Sequence, residues 1–307
     1  MEETIDWLLG GDPAIRWQVL SDLLDADPES VAAERAKVEH DGWGADLLAR
    51  QDDSGTWGGG LYGPKWISTT YTLLLLWRCG LPASHHLAES VRLLFDGARY
   101  HDGGITPSPD LPFPEGCVTA MYVTLARYFG YEDLRVDEAV TWLLANQLDD
   151  GGWNCRHVRT GDTHSSFHTS ISTLEALGEL NRRDPEPGVL GALQGGREFF
   201  LAHRLFKSHR TDEVVHPTFT KLSFPPRWHY DVLRGLDHFQ SENAPWDERF
   251  TDAVELLESK QRSDGGWPSQ HKHAGKVFFD METGRRPSRW NTLRALRVLR
   301  WVDRVRD

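Results

Sequence analysis

The stretch Gln147-Leu148-Asp149-Asp150-Gly151-Gly152-Trp153 decides the fold, because it occurs again with small changes elsewhere in the chain. One further copy is Gln261-Arg262-Ser263-Asp264-Gly265-Gly266-Trp267, and another is Gln51-Asp52-Asp53-Ser54-Gly55-Thr56-Trp57. A related turn, Gly103-Gly104-Ile105, ends 48 residues after Trp57 and 48 residues before Trp153. A fixed spacing of this size is typical of repeat architectures, and it predicts one further degenerate unit around Val214-Val215.

Each copy follows an amphipathic helix and precedes, after a loop, a second and more apolar helix. We predict that the second helices begin near Trp66, Cys117, His168, His229 and Trp290. A shorter hairpin precedes them over residues 7–17. No β-type alternating run occurs, so the predicted class is all-α.

About six helical hairpins can stack as an open solenoid or close into a ring. Second helices such as residues 67–77 are apolar nearly all round, which suits an inner layer covered by an outer one. The last helix keeps an apolar face, whereas the end of a solenoid needs a polar cap. We therefore predict an (α/α)6 toroid, a closed barrel formed by a single domain. Its approximate repeat units are residues 1–40, 41–82, 83–131, 132–181, 182–240 and 241–307.

Composition excludes several classes of function. The formal net charge of −12 should repel phosphate backbones, so no nucleic-acid partner is expected. No segment approaches the roughly 18 uninterrupted apolar residues of a membrane span. Three cysteines cannot all pair, and Met1-Glu2-Glu3-Thr4 has neither the basic nor the apolar region of a signal peptide. We expect a reduced, cytoplasmic protein.

The three Gln-to-Trp copies resemble the repeated Gln-Trp motif of squalene-type terpene cyclases and the Gly-Gly-aromatic repeats of protein prenyltransferase β subunits. The resemblance covers about residues 43–302. It implies an α/α toroid with a central cavity for a hydrophobic small molecule, isoprenoids among the candidates. The motif is a signal of fold more than of activity, since one scaffold can host many chemistries. Its tryptophans are predicted to pack between hairpins.

The resemblance also marks a departure from the family. Squalene-hopene cyclases protonate their substrate with an Asp-x-Asp-Asp-Thr-Ala motif, and the best match here is Glu115-Gly116-Cys117-Val118-Thr119-Ala120. Cys117 stands where the protonating Asp is expected, and a thiol is too weak an acid to protonate an alkene. Glu115 is the remaining acid of the motif. Ordinary protonation-initiated polyene cyclisation is therefore not expected.

A second comparison concerns the zinc-dependent prenyltransferases, in which an Asp-x-Cys pair follows a Gly-Gly-aromatic turn. Counting from Trp153, Asp162 falls on the Asp ligand and His164 on the Cys ligand. Cys155, His157 and His168 lie in the same region, so residues suited to Zn²⁺ are locally dense. A Zn²⁺ site at Asp162 and His164 is one interpretation, and a hydrogen-bonded polar cluster is the other.

In such a ring, the inner helices would present their N-terminal ends to one end of the cavity. The residues at these ends combine large aromatic side chains with a few polar groups, as small-molecule sites do. The candidate catalytic residues are His168, His229, Cys117 and Glu115. The candidate substrate-binding residues are Trp17, Trp66, Tyr230, Trp290, Asn291 and Arg16. Each of these side chains could instead be a packing residue, and His271 and His273 are expected on the surface.

Three functions fit these residues. The first is an enzyme of the terpene cyclase or prenyltransferase type that uses acid–base or zinc-assisted chemistry on a hydrophobic small molecule. The second is a non-catalytic toroid that binds a lipid or isoprenoid. The third is a protein-interaction scaffold. The polar residues at the helix starts favour the enzyme, while the missing Asp-x-Asp-Asp motif keeps the second function open.

Overall fold

The structure, a computed structural model, describes residues 2–107, 111–282 and 287–306. Helices joined by loops make up most of the described residues, so the prediction of an all-α fold built from helical hairpins is confirmed. The chain divides into two compact units. The first comprises Met1–Arg50, Arg78–Pro82 and Leu201–Asp307, and the second comprises Gln51–Trp77 and Ala83–Phe200.

Helices of the first unit come from both ends of the chain. They are α1 (Glu2–Leu9), α2 (Pro13–Asp22), α3 (Pro28–Ala36), α4 (Gly42–Leu48), α12 (Val232–Ser241), α13 (Thr251–Glu258) and α14 (Arg289–Arg306). Short 3-10 turns occupy Lys37–Glu39, Pro217–Thr220 and Glu248–Phe250. Within the described residues, no helix is both long and apolar enough to cross a membrane.

The second unit contains the middle repeats. Its helices are α5 (Thr69–Cys79), which continues into the first unit, α6 (His85–Gly97), α7 (Gly116–Phe129), α8 (Leu134–Ala145), α9 (Arg156–Thr160), α10 (Phe167–Arg183) and α11 (Pro187–Ala202). A short antiparallel hairpin, β1 (Arg99–His101) and β2 (Gly104–Thr106), forms at the Gly103-Gly104 turn. The second helices of the repeats, α5, α7, α10, α12 and α14, all begin within three residues of their predicted starts.

One kind of hydrogen bond fixes each repeated turn to the helix that follows it. The backbone N–H of Trp57 donates to Thr69 Oγ1 at 3.0 Å, and that of Trp153 donates to Ser170 Oγ at 2.9 Å. The other two bonds of this kind join Ile105 N to Thr119 Oγ1 and Trp267 N to Thr292 Oγ1, each at 2.9 Å. In all four cases the acceptor is a hydroxyl in the first turn of the second helix.

The Gln and the Trp of the motif also make hydrogen bonds, one within the turn and one to the helix that precedes it. Gln147 Nε2 donates to Gly151 O at 2.6 Å, and Trp153 Nε1 donates to Leu143 O at 2.7 Å. Because this indole is buried, its N–H needs such a partner. Trp57, Trp153 and Trp267 are at most 1% exposed, which confirms that the tryptophans of the motif are packing residues.

The degenerate unit lies at a different place from the one predicted. Val214 and Val215 are each 44% exposed and do not occupy the position of a motif tryptophan. The equivalent bond is made by Ser223, whose backbone N–H donates to Asp231 Oδ2 at 3.0 Å. Asp231 is the N-cap residue of α12 and replaces the hydroxyl as acceptor. No Gly-Gly-Trp marks this turn, so the repeat pattern could not locate it.

Buried charges hold α12 to α14 in the first unit. Asp237 of α12 accepts hydrogen bonds from Arg297 Nε and Nη2 at 2.6 and 2.7 Å, and from Arg294 Nε at 3.1 Å. Burial alone would raise the pKa of Asp237, but the charges of Arg297 and Arg294 hold it below its usual value. We call Asp237, Arg294 and Arg297 the arginine network.

Candidate functional site

The first turns of α7 and α10 lie against each other in the second unit. Gly116, the first residue of α7, permits this approach, because a Cβ added there would lie 3.1 Å from Thr169 Cγ2. Thr119 Oγ1 donates to Glu115 O at 3.0 Å while accepting the N–H of Ile105. The residue that precedes α7 is therefore held in a fixed position.

Two cysteines meet at this helix junction. Cys155 Sγ accepts the backbone N–H of Cys117 at 3.2 Å and lies 3.3 Å from Thr169 Oγ1. A hydrogen bond between the two thiols lowers the pKa of Cys155, and the same bond raises the pKa of Cys117 well above its usual value. Cys155 is therefore the sulfur that becomes negatively charged first. We call Glu115, Cys117, Cys155 and Thr169 the cysteine cluster.

Glu115 supplies a carboxyl group to the cluster. Its side chain is half-buried, and burial raises its pKa, whereas the positive charges of Lys65 and Arg159 act in the opposite direction. Its negative charge raises the pKa of both Cys117 and Cys155, so it acts directly on the two thiols. A carboxyl group with a raised pKa keeps its proton closer to neutral pH, which suits a general acid.

Three aromatic side chains of the same unit pack together, and the charges of the cluster act on one of them, Tyr62. The Trp66 ring meets Tyr71 edge-on at 4.7 Å, and the Tyr62 ring lies 5.4 Å from Tyr71. Burial, followed by the influence of Tyr71, Cys117 and Glu115, raises the pKa of Tyr62. We call Tyr62, Trp66 and Tyr71 the aromatic wall. Tyr62 is half-buried, whereas Trp66 and Tyr71 are at most 5% exposed, so Tyr62 is the ring of this wall that can meet a ligand and the other two pack behind it.

Predicted site residues from three different repeats are thus brought together. Glu115 and Cys117 belong to the cysteine cluster, and Trp66 belongs to the aromatic wall beside it. His168 is half-buried in the first turn of α10 and directly precedes Thr169 of the cluster. The junction of α7 and α10 is therefore the candidate active site of the second unit.

The residues proposed as zinc ligands are engaged differently. Asp162 Oδ2 lies 3.2 Å from Arg156 Nε, and Asp162 Oδ1 accepts from Thr160 Oγ1 at 2.7 Å. The side chain of His164 is exposed, and its backbone carbonyl accepts from Asn154 Nδ2 at 2.7 Å. Among residues 2–107, 111–282 and 287–306, no group of three His, Cys, Asp or Glu side chains is arranged to hold a metal ion. This donor set does not fit a zinc site.

In the first unit, His229 lies in a stack of rings. Its ring centroid is 3.7 Å from that of Trp228 and 3.9 Å from that of His273, with the two imidazoles nearly parallel at 5°. His271 meets His273 edge-on at 4.8 Å. His271 and His273 are half-buried, so they are only partly exposed at the surface where they are expected. Sequence reasoning missed them because they belong to a polar loop with no repeat signal.

Trp290 and Asn291, at the start of α14, are part of the packed interior of the same unit. Trp290 is 2% exposed and stacks on Phe224 at 4.1 Å. Asn291 is fully buried, and its Nδ2 donates to Pro268 O at 3.0 Å. Both side chains therefore hold loops against the helix.

Three other predicted substrate-binding residues have packing contacts. Arg16 Nε pairs with Glu34 Oε1 at 2.5 Å, and Trp17 Nε1 donates to Cys79 O at 2.8 Å. Tyr230 is 2% exposed and donates its hydroxyl hydrogen to Leu205 O. These contacts account for their position without a ligand.

Residues missing from the predicted site are Cys155, Thr169, Tyr62 and Tyr71. Cys155 is two residues after Trp153, and Thr169 follows His168 directly, so both lie at positions fixed by the repeat. These fixed positions were the sequence signal that could have identified Cys155 and Thr169 as site residues. Pairing of Cys117 with Cys155 could not be read from the sequence, because the two belong to neighbouring repeats 38 residues apart.

Comparisons with known proteins give structural likenesses alone. No protein-family model matches the chain, and no curated protein matches it. A protein from Actinoplanes shares 17% identity over 95% of this chain and 90% of its own, with a TM-score of 0.49. Type II terpene cyclase MstE from Scytonema, as an alanine variant in complex with merosterolic acid A, shares 15% identity over 96% and 88%, with a TM-score of 0.47.

Another MstE variant, in complex with the substrate geranylgeranyl dihydroxybenzoate, shares 15% identity with this chain. It covers 95% of this chain and 87% of its own, with a TM-score of 0.44. At these identities and scores the likenesses do not assign the chain to a family. The site must be interpreted from its own residues.

Proposed function

We propose that the chain is an enzyme that acts on a hydrophobic small molecule, of the isoprenoid type, by acid–base chemistry at the cysteine cluster. The observation that supports this most is the half-buried Glu115 carboxyl group, whose charge acts on both thiols and on Tyr62 of the aromatic wall. Aromatic faces offer apolar contact to a hydrocarbon chain and stabilise positive charge that develops on it. Glu115 supplies or removes the proton.

The surroundings of Glu115 suit a general acid that can give up a proton and take one up again. Burial favours the neutral carboxyl group, while Lys65 and Arg159 stabilise the carboxylate that remains after the proton has left. Burial raises the pKa of Glu115 toward the working pH of a general acid, and the two positive charges limit that rise. A packing residue would have no need of them, because an apolar side chain would fill the same space at lower cost.

Native mass spectrometry of protein purified without detergent tests the binding part of this proposal. We expect a hydrophobic occupant that is retained by the wild type and lost from Tyr62→Ala, because this half-buried ring offers contact surface. Tyr100→Ala, a change to another half-buried tyrosine of the second unit, is the matched control. Retention of the occupant by Tyr62→Ala would contradict the assignment of the site.

Turnover separates an enzyme from a binding protein. Farnesyl- and geranylgeranyl-bearing compounds, incubated with the protein and followed by mass spectrometry, should be converted by the wild type and about a hundredfold more slowly by Glu115→Gln. Glu138→Gln, an exposed glutamate in the same unit, should leave the rate unchanged. Binding of the occupant without any conversion would favour the non-catalytic lipid-binding function.

A further inference from the structure

Buried polar atoms that lack a hydrogen-bond partner gather at one place in the first unit. Among the described residues they include Trp290 Nε1, Asn291 Oδ1 and Arg294 Nη2, three atoms from five consecutive residues of α14. The three residues are at most 3% exposed. An unpaired polar group in the interior is unfavourable, and a charged one is the most unfavourable. Three of them side by side therefore point to a bound molecule that pairs with them.

Two neighbouring loops lie against this part of α14. They are residues 222–224 and residues 268–271, which we call the paired loops. The backbone N–H of Gln270 donates to Leu222 O at 2.8 Å, and a parallel β-bridge joins the next residue of each loop. The paired loops therefore form one continuous surface opposite the helix.

The three side chains all reach the paired loops. The Trp290 ring stacks on Phe224 at 4.1 Å, and Arg294 Nη1 donates to the carbonyl of the residue before Phe224 at 3.2 Å. Residues four apart on a helix share a face, as these two contacts require. Asn291 Nδ2 donates to Pro268 O at 3.0 Å. Each side chain thus fixes a loop with one of its groups and retains a second polar atom for a ligand.

The charge of Arg294 favours a negatively charged ligand. Arg294 shares the carboxylate of Asp237 with Arg297, whose bonds to it are shorter, at 2.6 and 2.7 Å against 3.1 Å. Asp22, a second acid beside the network, pairs with Arg297 at 3.1 Å. Arg294 is therefore the less compensated of the two buried arginines. Hydrogen bonds from a guanidinium group to an anion are among the strongest in proteins.

The acid nearest to Trp290 does not supply this negative charge. Glu282 Oε1 accepts the backbone N–H of Trp290 at 3.2 Å, and its Oε2 accepts from Ser288 Oγ at 2.5 Å. Burial raises the pKa of Glu282, so its charged form is disfavoured. This side chain holds the start of α14, and the atoms retained by the helix side chains are left to a ligand.

We propose that the first two turns of α14 form a second ligand site, which binds a 2-hydroxy carboxylate that carries an aryl or other apolar group. The carboxylate accepts from Arg294 Nη2 and Trp290 Nε1, and the hydroxyl donates to Asn291 Oδ1. Because the three atoms come from five consecutive residues, the carboxylate and the hydroxyl must be neighbours in the ligand. The site uses no residue of the cysteine cluster, so it goes beyond the proposed function.

Aromatic rings provide the contact for the apolar group. Phe224 stacks on Trp290, and the Trp43 ring lies 6.0 Å from that of Trp290. Phe224 and Trp43 are half-buried, whereas the polar atoms of the site are buried. The apolar group is therefore expected toward the surface and the carboxylate toward the interior, a common arrangement of small-molecule sites.

Isothermal titration calorimetry of the intact chain with mandelate tests the site, because mandelate combines a phenyl ring, a carboxylate and a 2-hydroxyl. We expect saturable binding of at least one enantiomer. Phenylacetate, which lacks the hydroxyl, should bind about tenfold more weakly, and mandelamide, which lacks the charge, about a hundredfold more weakly. No binding of either enantiomer, or equal affinities for the three compounds, would overturn the proposal.

A variant isolates the indole N–H. Trp290→Phe keeps a ring beside Phe224 but removes the donor, and it should weaken mandelate binding about tenfold. Trp246→Phe is the matched control, because the Trp246 indole donates to Glu248 Oε1 at 3.0 Å in the same unit, and it should leave the affinity unchanged. An unchanged affinity in Trp290→Phe would contradict the site.

A crystal structure of the wild type with mandelate distinguishes the ligand from water. A water molecule both donates and accepts, so ordered water could pair with the same three atoms. We expect electron density for the carboxylate at Arg294 and for the hydroxyl at Asn291. Ordered water alone at these atoms would overturn the proposal. None of these measurements involves turnover, so the proposed function is tested separately.

Discussion

Polar groups gather where two second helices meet in both units, as the arginine network in the first and the cysteine cluster in the second. The two differ in how the charge of their acidic residue is stabilised. Asp237 accepts three hydrogen bonds from two arginines, and the side chains of Asp237 and Arg294 are at most 7% exposed. Glu115 is half-buried, and its side chain does not cap α7.

This difference distinguishes charges that stabilise the fold from ionisable groups that are suited to catalysis. In the arginine network, the two arginines stabilise the carboxylate of Asp237 and hold its pKa below the usual value, so this buried acid stays charged. In the cysteine cluster, burial raises the pKa of Glu115, and the hydrogen bond between the thiols lowers the pKa of Cys155 while it raises that of Cys117. Groups whose charge state is easily changed are those that catalysis can use.

The largest effect is expected from breaking the arginine network. Asp237→Asn removes the negative charge between Arg294 and Arg297, and it should lower the free energy of unfolding by about 3–5 kcal/mol. Chemical denaturation measures this change, with the exposed Asp303→Asn of α14 as control. Cys155→Ser should cost much less. An equal loss for Cys155→Ser and Asp237→Asn would show that the cysteine cluster is structural too.

A smaller loss is expected from the repeated turn that both units share. Ser170→Ala leaves the buried backbone N–H of Trp153 without its acceptor, and it should cost about 1–3 kcal/mol. Thr141→Ala is the control, because the hydroxyl of Thr141 is exposed and bonds only to its own helix. If Ser170→Ala lowers the free energy of unfolding no more than the control does, this hydrogen bond does not stabilise the repeated turn.

The smallest effect is a difference in the sign of a pH dependence. The pKa of Glu115 is raised in the folded chain, so wild type should lose stability relative to Glu115→Gln as the pH rises above the ordinary value of 4.5. The pKa of Asp237 is lowered, so wild type should lose its advantage over Asp237→Asn as the pH falls below 3.8. Denaturation across pH measures both slopes, and slopes of the same sign would contradict the comparison.

The repeat made much of the fold predictable. Glycines, the motif tryptophans and the apolar second helices are local signals, so they located α5, α7, α10, α12 and α14 within three residues. Where a local signal was lacking, the prediction failed. Ser223 and Asp231 make the bond of the degenerate unit without a glycine pair or a tryptophan, and the sequence placed that unit at Val214-Val215 instead.

The candidate site was less predictable for a physical reason. Glu115, Cys117 and Trp66 were found because they stand at helix starts, but so do Tyr230 and Trp290, which are packed in the interior. Whether such a residue faces a ligand or the core depends on its neighbours from other repeats. The contact of Cys117 with Cys155 is of that kind, and a single sequence does not encode it locally.

The first-turn hydroxyls determine which positions of the repeats can be substituted without altering the fold. Each ties a turn to the helix after it, so the residue two or three positions earlier lies at or just before the start of that helix in these four repeats. Those residues are Trp66, Cys117, His168 and Trp290, and they have little chemistry in common. Because the hydroxyl holds the turn and the helix together, the residue before it can be substituted while the scaffold stays the same.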